Sequence, residues 1–193
     1  SSLPPGFYSD DVLIRDSFNG GNSYWRHVEL TVIGTPGVPY CPGDGVSPHT
    51  NCPCGNNNNG SYGGCYWGSG SFPTGGRLFG TGIASWSANN AYLHTVAVSN
   101  NFGIFFGASN RVNGGNGSPL NDGLRCAGGG LVRLTLPTNA SGNSASTPSP
   151  VPMLDSGGGP GITRRYQYWF RTPGGPCSQD ANLTNGYEII WTP

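Results

Sequence analysis

Glycine and proline punctuate this chain too often for a long helix, occupying 34 and 17 of its 193 positions. Proline fixes its own backbone and removes a donor, and glycine has the most conformational freedom to lose, so both mark turns rather than helix interiors. Between these breaks the apolar residues alternate with period two, the spacing of a strand with one buried face. In 24–33, Tyr24, Arg26, Val28, Leu30 and Val32 share one face, against Trp25, His27, Glu29 and Thr31. In 163–172, Tyr166, Tyr168 and Phe170 face one way, and Arg165, Gln167, Trp169 and Arg171 the other. Further strands are expected over 11–18, 77–87, 91–99, 102–108, 131–137 and 185–192. Short strands with frequent turn signals predict an all-β fold, an antiparallel β-sandwich of jelly-roll type.

So much glycine and proline borders on compositions that remain disordered. Here the formal net charge is zero and aromatic residues make up 11% of the chain. Self-repulsion is therefore absent and there is aromatic mass to bury, which predicts a folded chain.

Six cysteines reinforce a thin core, and an even number suits an oxidising compartment. Cys41, Cys52, Cys54 and Cys65 cluster together, while Cys126 and Cys177 stand far apart. One residue separates Cys52 from Cys54, where structural zinc ligands are usually roughly two to four residues apart. His27, His49 and His94 are scattered. Disulfides are therefore expected rather than zinc. Sequence alone does not fix the pairing; a Cys126–Cys177 bridge is expected, with two more inside the cluster. Segment 41–65 has no apolar periodicity and reads as a stapled loop.

Nothing approaches the ~18 consecutive apolar residues of a spanning helix, so no membrane span is expected. Nine arginines balanced by nine acidic residues, with no lysine at all, give no basic stripe, and nucleic acid is not an expected partner. Ser1-Ser2-Leu3-Pro4-Pro5 reads like a mature N-terminus left after signal cleavage. Asn59, Asn116, Asn139 and Asn182 each open an Asn-x-Ser/Thr sequon, which makes covalent glycans possible. The Ser/Thr/Pro-rich stretch 138–152 is expected to be an exposed loop suited to O-glycans.

Several motifs carry a resemblance. They are Cys41-Pro42-Gly43-Asp44-Gly45, Cys52-Pro53-Cys54-Gly55-Asn56 and the run 122–130 (DGLRCAGGG). Near the end come 165–171 (RYQYWFR), a Gly/Pro turn with Cys177, and 182–188 (NLTNGYE). From residue 41 onward the chain resembles an uncharacterised group of exported, glycine-rich bacterial β domains. The resemblance implies secretion and a disulfide-braced β fold. It implies no activity, and the first 40 residues lie outside it.

Catalytic chemistry has little to work with. The two glutamates, Glu29 and Glu188, each fall in an expected strand and read as solvated outer-face residues rather than a glycosidase pair. No Gly-x-Ser-x-Gly elbow joins a strand to a helix. Asp10, Asp11 and Asp44 are the only acidic spots resembling a calcium site, and Gly43-Asp44-Gly45 reads as a turn. No catalytic residue, metal or cofactor is expected. Exposed aromatics on a sandwich can stack sugars, with Trp67, Trp86 and Trp169 as the candidates. Trp169 shares its expected face with Arg165 and Arg171, so a cation–π contact would equally account for it.

Residues 1–18 form an extended N-terminal segment, separate from a sandwich domain over 19–193. Leu3, Phe7, Tyr8, Val12, Leu13 and Ile14 make it apolar. Ten extended residues reach about 33 Å, enough to cross a neighbouring domain. Strand addition would let this tail complete another copy's sheet. Without lysine, isopeptide linkage is impossible. The expectation is a secreted, non-enzymatic structural protein that polymerises head to tail. The alternative is a monomeric carbohydrate-binding or adhesive module.

Overall fold

The computed structural model describes residues 6–15, 23–32, 34–60 and 62–193. They belong to two compact units, Ser1–Gly34 and Thr35–Pro193. Both are built from strands, and the chain is an all-β protein.

The first unit contains a two-stranded antiparallel ribbon, β1 (Gly6–Arg15) and β2 (Ser23–Val32). Asp10 lies opposite Val28, Val12 opposite Arg26 and Ile14 opposite Tyr24, so these six share one face. Ser9, Asp11 and Leu13 lie opposite Glu29, His27 and Trp25 on the other. Within the segment expected to extend alone, Gly6–Arg15 are therefore already paired, and the rest of 1–18 lies outside the described residues. Ser23–Val32, assigned from sequence to the sandwich, pair along their full length with β1 and fall in the first unit.

The second unit opens with β3 (Gly37–Tyr40), β4 (Arg77–Thr81), β5 (Tyr92–Val96) and β6 (Phe102–Ala108). Short pieces follow: β7 (Asn110–Arg111), β8 (Ser118–Leu120), β9 (Gly123–Arg125), β10 (Ala127–Gly128), β11 (Val132–Arg133), β12 (Thr138–Asn139) and β13 (Ser144–Ser146). One helical turn, α1 (Val151–Leu154), leads to β14 (Thr163–Arg171), β15 (Ala181–Leu183) and β16 (Gly186–Ile190). The larger sheet runs β11-β6-β14-β16-β3, with β12 also on β6 and β15 also on β14. The smaller sheet is β13-β5-β4. Residues 138–152 are thus not one open loop: β12 and β13 pair with β6 and β5, and Ala140 and Thr147 are buried.

The two sheets share one core. Leu78 and Leu93 of the small sheet join Phe105, Tyr166, Tyr168 and Phe170 of the large one in a single buried cluster. The expected inner face of β14 is correct in all three positions. Close packing demands glycine in the neighbouring strand, since a Cβ on Gly103 would lie 2.3 Å from the Tyr168 ring. One end of this core is polar and fully connected. Arg164 donates to both carboxylate oxygens of Asp155, at 2.8 and 2.7 Å. Tyr166 donates to the same carboxylate and accepts from the Trp191 indole. Burial, and then the Asp155 charge, push the Tyr166 hydroxyl well above its usual range.

Buried amide side chains splint what the apolar core is too small to hold. Gln167, on the outer face of β14, accepts from the backbone of Cys126 and Ala127 and donates to Leu124 and Thr184. Asn185 does the same between the sheets, bonding both backbone groups of Leu78. All six cysteines are paired, as Cys41–Cys126, Cys52–Cys65 and Cys54–Cys177. The expected Cys126–Cys177 bridge is replaced because β3 pairs with β16 and β16 with β14, bringing Cys41 beside the Cys126 segment that Gln167 pins down. Only Cys52–Cys65 lies inside the 41–65 cluster, where two bridges were expected; Cys41 and Cys54 instead staple the loop to two distant parts of the domain.

Candidate functional site

The outer face of β14 changes character along its length. At one end Arg165 donates to Glu188, which also receives a two-pronged contact from Arg111 at 2.9 Å. The Arg111 guanidinium lies 4.7 Å over the Tyr40 ring. Burial opposes ionisation of Glu188, but the hydrogen bonds from Arg111 and Arg165 outweigh it and hold the carboxyl below its ordinary range. A carboxylate committed to two guanidiniums is a structural clamp rather than a proton donor. In the middle, Gln167 lies fully buried beneath the 124–127 segment.

The far end is open. Ile104 and Phe106 of β6, Trp169 of β14 and Leu183 of β15 floor an apolar groove of about 570 Å³. Leu120 of β8, Arg125 of β9, Leu131 just before β11 and Arg133 within β11 rim it. Leu131 is 57% exposed although it faces an apolar floor. Trp169 donates its indole N–H to Asn121, and its ring lies 6.1 Å from that of Phe102. Arg165 turns away to Glu188 and Arg171 stacks over Phe102, so neither holds Trp169 through the cation–π contact considered from sequence. Neither Arg125 nor Arg133 has an acidic partner among the described residues. An apolar concavity rimmed by unpaired cations suits a partner that is apolar and carries a negative charge.

The ribbon has the complementary chemistry. Ile14 is 53% exposed and Trp25 66%, and Val12, Tyr24 and Val28 are exposed as well. On the Val12 face the charged residues are Asp10 and Arg26; Arg26 stacks on Tyr24, whereas Asp10 has no cation partner among the described residues. The opposite face carries a polar row in which His27 lies 2.9 Å from Asp11 and 3.8 Å from Glu29. Of the residues expected to drive assembly, Val12, Leu13 and Ile14 lie in β1, with Leu13 on the face opposite the other two. Phe7 and Tyr8 are placed by their backbone alone, and Leu3 lies outside the described residues.

No protein-family model, curated protein or solved structure matches this chain.

The remaining candidates fall elsewhere. Trp67 packs against the core and donates to the Ala97 carbonyl, and Trp86 meets Trp191 edge-on at 5.3 Å; both are partly buried against the core. Asn182 is fully buried with both ends of its amide bonded, so it is not open to a glycan in the folded chain. Asn59 and Asn139 are exposed and Asn116 half-buried. Asp44 caps its own turn, accepting from Val46 N–H and lying 2.8 Å from His49. No group of three metal-ligating side chains occurs among the described residues. His94 bridges Thr81 and Ser146 on the small sheet, and burial holds its ring below the usual histidine range. The sequence reading missed the groove. Its one legible trace was 102–108, where Phe102, Ile104 and Phe106 alternate with Phe105, making both faces of β6 apolar.

Three disulfides indicate folding in an oxidising, non-cytoplasmic compartment. Among the described residues no helix is long and apolar enough to cross a membrane.

Proposed function

We propose that this is a non-enzymatic structural protein of the extracellular space, the subunit of a filament that grows head to tail through the ribbon of β1 and β2. The observation that carries this reading is the exposed apolar face of that ribbon, Val12, Ile14, Tyr24 and Val28. An isolated two-stranded hairpin is at best marginally stable in water and gains stability when its apolar face packs against another layer. A second copy of the chain supplies such a layer at every step of growth. Covalent routes are closed: there is no lysine for an isopeptide, and every cysteine is already bonded within the chain. The joint must then be non-covalent. The element that enters the neighbour is a pre-paired ribbon rather than a lone strand, which keeps the backbone groups between its strands satisfied during docking.

The sequence motifs shared with exported bacterial domains support secretion, and the exposed Asn59 and Asn139 are the sequons best placed for modification. A monomeric sugar-binding module has one point in its favour, the half-exposed Trp169. The mostly aliphatic lining around it offers few groups for sugar hydroxyls.

Replacing Val12 and Val28 together by aspartate tests the reading. Light scattering on the full chain should show concentration-dependent growth for the native protein and a constant monomer mass for the variant. Equal growth in both would refute the ribbon as the joint.

A further inference from the structure

The groove on the outer face of β14 has the properties of a socket. We infer that it receives the Val12 face of the ribbon from a second copy of this chain; this rests on the filament reading above. The first reason is apolar match. The floor of Ile104, Phe106, Trp169 and Leu183 is a sheet surface left uncovered at one end, whereas the same surface is covered at Gln167. The ribbon presents Val12, Ile14, Tyr24 and Val28 at strand spacing, on a sheet surface of the same kind. Two pleated surfaces stack about 10 Å apart with interdigitating side chains, the packing already used inside the domain.

The second reason is charge. Arg125 and Arg133 stand at the rim of an apolar groove without acidic partners among the described residues. Asp10 stands among apolar residues on the ribbon without a cation. Asp10 supplies the acidic partner that the rim arginines lack. Such complementarity fixes register and rejects wrong partners more than it adds raw affinity. Arg26, the one cation on that face, is engaged with Tyr24.

The third reason is connectivity. Plug and socket are different patches, in Ser1–Gly34 and Thr35–Pro193 respectively. Contacts between unlike patches leave one plug and one socket free after every addition, so growth does not close into a dimer unless the rotation happens to form a ring.

A complementation experiment on full-length chains tests this directly. A socket variant carries Arg125→Glu with Arg133→Glu, and a plug variant carries Val12→Asp with Val28→Asp. All four positions are exposed, so unchanged thermal unfolding is expected of both. Each variant alone should scatter as a monomer. The socket variant keeps an intact plug and the plug variant an intact socket, so an equal mixture should form a capped heterodimer of twice the monomer mass. Leu131→Asp, at the exposed rim, should act as a second socket variant. If the native chain forms filaments and both socket variants do so equally well, the groove is not the socket, though the filament reading stands. Folded variants that stay monomeric when mixed also overturn the assignment. A native chain that stays monomeric at all concentrations overturns the filament reading, and the socket with it.

Discussion

The ribbon and the sandwich are two opposite solutions for a chain with little apolar mass. In the sandwich almost every deficit is met internally. Three disulfides tie down a loop with no periodicity, Gln167 and Asn185 satisfy backbone groups that no strand reaches, and Asp155 neutralises a buried arginine. The ribbon has far less of this among the described residues: ten residue pairs, exposed contacts from His27 to Asp11 and Glu29, no disulfide, and apolar side chains open to solvent. The contrast indicates that the sandwich is built to persist alone and the ribbon to be completed by something else. The groove resembles the ribbon in being apolar and uncovered.

The contrast breaks most severely at the buried ion pair. Asp155→Ala leaves Arg164 uncompensated in the core and should cost about 3–5 kcal/mol, read as a fall in the denaturant midpoint. The same substitution should leave assembly of any surviving folded chain unaffected. Next in size is the bridge from Cys41 to Cys126. Replacing both cysteines by alanine should cost about 2–4 kcal/mol, because an 85-residue separation is then no longer closed in the unfolded state. Reduction of the native protein should lower its melting temperature in the same direction.

Titration sharpens the comparison more finely. His94 has a folded-state pKa below its ordinary value of 6.5, because burial disfavours the charged ring. The unfolded chain therefore takes up this proton first as pH falls, and stability should drop through the region around and below pH 6.5. Glu188 is also depressed, so the stability from its clamp is present above the ordinary glutamate value of 4.5 and is lost as pH falls through its lower folded value. Unfolding followed from pH 8 to 3 should show both steps, with His94→Gln removing the first and Glu188→Gln the second. The smallest effect belongs to the ribbon. Val12→Asp with Val28→Asp should change the unfolding free energy of the sandwich, read from its denaturant midpoint, by no more than about 0.5 kcal/mol while abolishing assembly.

Much of this was legible in local spacing. The alternation over 163–172 grouped Tyr166, Tyr168 and Phe170 on one face, and all three are buried; that over 24–33 matches the ladder of β2 through Val32. Periodicity failed where strands are two or three residues long, as in β7 to β13, because two residues do not make a period. It also overran several strands; 77–87 ends at Thr81 and 131–137 shrinks to Val132–Arg133. Non-local facts stayed hidden. Gln167 reads as a surface residue, and only the segment folded over it shows otherwise. Cys41 pairs across 85 residues because two strand registers bring it there, and spacing carries no trace of that. The groove combines residues from six strands and Leu131 just before one of them, and its only sequence signal was the second apolar face of β6.

Negative-stain electron microscopy of the native, undenatured chain tests the central claim most directly. Long fibres of uniform width are predicted, absent when Val12 and Val28 are both aspartate. A field of separate particles of about 20 kDa at every concentration would contradict it.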